Sequence, residues 1–346
     1  LLEGVWQQVG EAGFTSDSIY APSLAVDNSG TAYVAYMNAG NWNANVMKFD
    51  GTEWQQVGMP DFSPGSAWEP CLAIDGNGIP YVAYSDSMYS DRISVMQFDG
   101  TNWVQVGMPG FSNSSAWQPS LAVDSTGTLY VAYVEQASGY RMSVMQFDGT
   151  NWVQVGMPGF TPDWINFPSL VLDSSGVPYV SYTDSYGRAS VMKFDGMEWV
   201  QVGMPGFTPS YADGLHLAVY NNTPYVAYMD DAESHKASVM KFDGTEWVQV
   251  GTAGFTPGFA YEPSLAIDSH GTPYIAYVDE SNEYKASMMR FDGTEWVQVG
   301  DAGFTLSSIY EPSLAVTSQG IPYVAYVDES TQYKASVMKF GPSGSN

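Results

Sequence analysis

Residues 247–295 read WVQVGTAGFTPGFAYEPSLAIDSHGTPYIAYVDESNEYKASMMRFDGTE, and Trp296 then begins the same pattern again. Aligned on that tryptophan, the copies start at Trp6, Trp54, Trp103, Trp152, Trp199, Trp247 and Trp296, at spacings of 48, 49, 49, 47, 48 and 49 residues. Seven copies fill residues 1–346 as a single domain. A fixed period in this range marks a repeat architecture, in which each copy is one supersecondary unit.

Within the copy, four short runs carry a strand signature. Ser264–Asp268 alternates large and small residues. Pro273–Val278 is rich in β-branched and aromatic residues. Ala286–Phe291 and Glu295–Val299 alternate again. Each run is bounded by Gly, Pro, Asp or Ser. Asp268-Ser-His-Gly271 reads as a tight turn, and Asp292-Gly293 is the strongest short hairpin signal in the chain. No stretch keeps a 3.6-residue period, so almost no helix is expected. Seven four-stranded antiparallel blades bury their faces by stacking in a ring, which leaves only short protected edges. An open solenoid would need polar capping repeats, and none is visible. The fold class expected is therefore all-β, a seven-bladed β-propeller. SLAVD runs should lie innermost and WVQVG runs outermost.

The chain ends support closure. The last copy has three strands and then reads Phe340-Gly341-Pro342 where the others read Phe-Asp-Gly. The chain opens on a spare outer strand, Val5–Val9. The N-terminal strand should complete the last blade. Because the sequence begins at Leu1 inside a repeat, a processed or excised segment is expected, either a monomer or one domain of a larger protein.

The pattern P-S-L-A-[VI]-D-S-x-G-T-P-Y-V-A-Y-x-D…K-A-S-V-M-K-F-D-G-T-x-W-V-Q-V-G resembles the highly repetitive β-propellers of large secreted or cell-surface bacterial proteins. In blade layout alone it is similar to kelch and sialidase-type propellers. The resemblance implies seven blades and a secreted or cell-surface setting, and it brings no catalytic residues to carry over. It also implies that function sits on the face where outer-to-inner connections and second-to-third strand loops emerge.

Composition narrows the partners. Net charge is −26, with 37 acids against 11 bases. Such a field repels phosphate backbones and anionic membranes, so no nucleic acid is expected. No run of about 18 apolar residues exists to span a membrane. The one cysteine, Cys71, stands where most copies have serine and reads as a tolerated small residue. The repeated aspartates Asp27, Asp75, Asp124, Asp173 and Asp268 read as turn caps, because D-x-x-G-T lacks the several close oxygens of a calcium loop. His216, His235 and His270 lack metal-ligand spacing, and no metal or other cofactor is expected.

Residues repeated sevenfold are packing residues. The candidates for function are the aromatic plus acid or amide pairs before the inner-strand proline: Tyr20, Trp68 with Glu69, Trp117 with Gln118, Tyr261 with Glu262, and Tyr310 with Glu311. Aromatic faces flanked by carboxylates and amides suit sugars. A pyranose C–H face stacks on the ring while polar groups take hydroxyls. The expectation is a non-catalytic binding module for carbohydrate or a surface protein, with Trp68, Glu69 and Trp117 foremost. A glycan hydrolase using two loop carboxylates and a purely structural repeat domain are the alternatives. Copies four and five break the pair: they read Asn166-Phe167 and Asp213-Gly214, with Trp164 two residues early.

Overall fold

The computed structural model describes residues 4–342. It forms seven four-stranded antiparallel sheets. Blade one shows the order: β2 (Ile19–Val26) is innermost, followed outward by β3 (Ala32–Asn38), β4 (Ala44–Phe49) and β5 (Trp54–Gln56). Blades two to six repeat this over residues 67–105, 116–154, 166–201, 212–249 and 260–298. The last blade consists of Ile309–Val316, Pro322–Asp328 and Lys334–Gly341. Its outermost strand is β1 (Val5–Gln8), which pairs Val5 with Gly341 and Gln8 with Met338. The expected closure is present. Among the described residues the only helical elements are five three-residue turns, and no helix is long and apolar enough to cross a membrane.

The repeated residues explain why the blades stack. Each core cluster draws on two neighbouring blades. Val34 and Tyr36 of blade one, for example, pack with Val327 and Val337 of blade seven. Each repeat tryptophan also ties its outer strand to the blade before it. Trp54 Nε1 donates to the Val9 carbonyl at 2.8 Å, and its ring stacks on Phe14 with centroids 4.1 Å apart. Trp6 makes the same pair of contacts across the closure, to Val299 O at 2.9 Å and Phe304 at 3.7 Å. The glycine after each such valine has no room for a side chain. At Gly58, φ is +69° and a Cβ would lie 2.9 Å from the Phe98 ring.

One end of the ring carries only turns. Asp27 Oδ1 accepts from the Ser29 and Thr31 amides at 2.8 and 2.9 Å, the turn-capping role expected of the repeated aspartates. Copy five lacks one residue here. Tyr220 extends its strand to pair with Thr223, around Asn221 and Asn222 at φ +47° and +60°. Two successive left-handed residues make the tight hairpin turn that asparagine tolerates.

The inner strands are longer than the sequence pattern suggested. Ala260–Ile267 replaces the expected Ser264–Asp268, so the aromatic pairs lie within strands, not on the connections. The reason is a bulge. Tyr261 pairs with Val278 and Ser264 with Ala276, leaving Glu262 and Pro263 opposite one residue. Proline has no N–H to give the ladder, and the bulge lets the strand continue past it.

Candidate functional site

The bulge sets the geometry of the opposite end of the ring. Its first residue is left-handed in all seven blades: Ala21, Glu69, Gln118, Phe167, Gly214, Glu262 and Glu311 have φ between +49° and +59°. Such a backbone is uncommon for residues other than glycine. It turns three glutamates toward the next blade. Glu69 Oε2 accepts from the Gln118 amide, Glu262 Oε2 from the Glu311 amide and Glu311 Oε2 from the Ala21 amide, each at 2.6 Å. Though much of the Glu69 and Glu262 side chains reaches solvent, protein crowds the carboxyl groups. Desolvation pushes all three up from the usual glutamate range, against the pull of the amides they accept from. The Glu262 and Glu69 charges push Glu311 up further.

Deeper along the inner strands a second belt links the blades. Ser23, Ser120, Ser169, Ser264 and Ser313 accept from the amides of Leu72, Leu170, Leu217, Leu314 and Leu24. Cys71 Sγ takes the Leu121 amide at 3.4 Å, and burial pushes its thiol up. That suits a serine substitute and not a nucleophile. His216 stands at the same place in blade five. Its Nδ1 is buried without a hydrogen-bond partner, and burial pushes the imidazole down to about 4, a hydrogen bond with the Leu265 backbone opposing this.

The tryptophans divide into two groups. Seven of the 11 are the inter-blade ties. The other four, Trp42, Trp68, Trp117 and Trp164, all sit at the glutamate-bearing end. Trp42 joins the aromatic pairs because a residue one or two positions before each third strand is held against the next blade by a backbone bond, here Ala67 N to Trp42 O at 2.8 Å. Tyr20 stacks on Trp42 at 5.7 Å, and Trp42 meets Trp68 at 5.5 Å. Trp117 stacks on Tyr140 at 5.8 Å, while Tyr261 meets Tyr284 at 6.1 Å and Tyr310 meets Tyr333 at 6.0 Å.

Between blades three and four these groups enclose a cleft of about 410 Å³. Trp117, Tyr140 and Trp164 supply its aromatic walls, and Glu69, Gln118 and Asn166 its polar groups. Trp164 lies two positions before Asn166. It precedes the inner strand, which starts at Asn166, and the connection there places its ring on the same cleft. The break in copy four was legible; that it preserves the aromatic was not. Trp68 lies outside this cleft, in the stack with Tyr20 and Trp42.

Other clefts lie at the turn-bearing end. One of about 630 Å³ between blades three and four is lined by Tyr130, Tyr179, Lys193 and the Asp173 and Asp195 turns. Similar ones recur between blades two and three and between five and six. Their recurrence marks them as the ordinary gap between blade edges. Two neighbouring acids at the end of the second strand of blade five differ in role. Asp230 is buried, caps a three-residue turn through the Ala232 amide and accepts from Ser238 Oγ at 2.7 Å, whereas Asp231 beside it is exposed. Among the described residues, no group of three or more His, Cys, Asp or Glu side chains is placed to hold a metal ion.

No family model and no curated protein matches this sequence. Solved structures do share its fold. An ulvan lyase aligns with a TM-score of 0.60 at 12% identity, over 96% of this chain and 95% of its own. The α-L-arabinanase of Penicillium chrysogenum aligns with a TM-score of 0.52 at 14%, over 98% and 97%. A lectin of Aleuria aurantia, in complex with a fucosylated N-acetylglucosamine, aligns with a TM-score of 0.51 at 13%, over 84% and 97%. Identities this low speak for the propeller alone. They transfer no residue of those proteins to this one.

Proposed function

We propose that this propeller binds carbohydrate, and that the cleft between blades three and four is a sugar site. The observation that carries this is the meeting of three aromatic rings with a carboxylate and two side-chain amides in one open cleft. Trp117 and Tyr140 present a stacked platform, Trp164 closes the far side, and Glu69, Gln118 and Asn166 offer acceptors and donors for hydroxyls. The fold neighbours named above lend support, since by their names two cleave glycans and one is a lectin. A glycan array tests the reading. Trp117→Ala and Trp164→Ala should each weaken a bound glycan by about 1–3 kcal/mol, the worth of a packed aromatic contact. Wild-type affinity in both variants would refute it.

A second reading is favoured by one observation. Glu69, raised by burial, lines the cleft, and a carboxyl held up in this way is what glycosidic general-acid catalysis uses. A turnover assay on any glycan retained by the array separates the two. Product that vanishes in Glu69→Gln would make this protein a hydrolase or lyase; binding without product keeps it a lectin-like module.

A further inference from the structure

We infer that the glycan is a linear chain carrying free amines, laid along an aromatic track that spans six blades. This rests on the carbohydrate reading above and narrows it. The cleft is one end of a longer feature. Tyr20, Trp42, Trp68, Tyr140, Trp164, Tyr284, Tyr310 and Tyr333 are each 37–48% exposed, and all lie at the same end of the ring. Single exposed aromatics are ordinary; a contiguous set is not.

The contacts give the order. Tyr284 reaches blade seven through the Ile309 amide at 2.9 Å, beside Tyr310, which meets Tyr333. Tyr333 O takes the Ile19 amide at 2.9 Å, beside Tyr20, and the stack of Tyr20, Trp42 and Trp68 follows. Asp91 occupies the next junction through the Ala116 amide at 2.8 Å. Trp117, Tyr140 and Trp164 complete the arc. The pattern breaks at blade five, where Gly187 stands at the junction position with the Tyr211 ring packed against it, and Asp213 and Gly214 replace the pair. A mono- or disaccharide needs one platform. A row of platforms around an arc fits successive residues of one chain.

Charge decides what the chain carries. The inner edge of the arc holds Glu69, Glu262 and Glu311. In each, Oε2 is taken by a backbone amide, and Oε1 makes no hydrogen bond among the described residues. Asp91 interrupts the aromatics, and exposed Glu283 and Glu329 flank the outer side. Glu283 is paired with Lys285 at 3.1 Å. Arg92, Arg141, Lys285 and Lys334 follow the junction residues on this face, but with a net charge of −26 the acids outweigh them, and the face repels uronates and sulfated sugars and attracts amines. Aromatic faces beside carboxylates also hold ammonium groups well.

The test is calorimetric titration of β-1,4-glucosamine oligomers from dimer to octamer. Their N-acetylated counterparts, polygalacturonate oligomers and polylysine are run beside them. The dissociation constant should fall at least tenfold from dimer to octamer and rise with salt. The N-acetylated octamer should bind at least tenfold more weakly, and polygalacturonate not at all. Trp42→Ala, remote from the blade three–four cleft, should weaken the octamer about tenfold with an unchanged melting temperature. Equal affinity for amine and N-acetyl oligomers overturns the charge argument and leaves the carbohydrate reading standing. Affinity independent of length, or an octamer indifferent to Trp42→Ala, overturns the track. Tight polylysine binding without glycan binding overturns both and marks the face as a protein-docking surface.

Discussion

Trp6→Ala tests the closure of the ring, because its side chain ties β1 to the blade before the one it completes. The substitution removes the indole bond to Val299, the stack on Phe304 and the contact with Phe340. Truncating a large buried aromatic costs about 3–5 kcal/mol. Within that, the stack accounts for about 0.5–1.5 and the hydrogen bond for about 1. Trp6 is half-buried where Trp247 is 9% exposed. The loss should therefore lie near the low end, about 3 kcal/mol, against about 4–5 kcal/mol for Trp247→Ala in a continuous blade. Urea unfolding read by circular dichroism gives both values. Limited proteolysis of Trp6→Ala should also cut first around Gln7 and Gln8, once β1 is free to leave the edge. If Trp6→Ala matches wild type within about 0.5 kcal/mol while Trp247→Ala does not, β1 does not close the ring and the reasoning fails.

Three further outcomes follow from the belts and the buried polar groups. His216 has its pKa depressed from 6.5 to about 4 in the folded chain. The unfolded chain therefore takes the proton first, and stability present above pH 6.5 is lost as pH falls toward 4. His216→Ser should lose up to about 3 kcal/mol less over that window, measured as the difference between the two urea curves. Cys71→Ser should change stability by under about 1 kcal/mol, because a hydroxyl takes the Leu121 amide as Ser23 takes that of Leu72. Native Cys71 should also react slowly with a thiol reagent, since burial disfavours the thiolate. In blade one, Asp61 accepts from Asn45 Nδ2 at 2.7 Å and receives Asn38 Nδ2 at 3.5 Å. It thus supplies a carboxylate that Asp86, Asp230, Asp279 and Asp328 supply from the second strand elsewhere. Asp61→Ala should cost about 1–3 kcal/mol, and the triple change Asn38→Asp, Asn45→Ser, Asp61→Gly should recover most of it.

The period, the number of blades, the strand order and the closure were all readable from the sequence. Each is set by short-range patterning or by counting: alternation makes the strands, Asp-Gly makes the hairpins, and a missing fourth strand calls for the spare one. The aromatic and carboxylate residues of the candidate face were readable too, because they stand at fixed places in most copies. Three features needed the folded ring. The bulge at Glu262-Pro263 appears only when the facing strand fixes the register, so the sequence placed these residues on connections. The cleft joins Glu69, Trp117 and Trp164 from three copies, about one period apart, and only stacking of the blades brings them together. Trp164 looked like a loss of the pattern until the fold placed it beside Asn166 in the same cleft. Sequence periodicity decided what each copy would become. Which side chains meet across the blades was decided by the ring itself, since contacts between copies depend on the angle at which one sheet packs on the next.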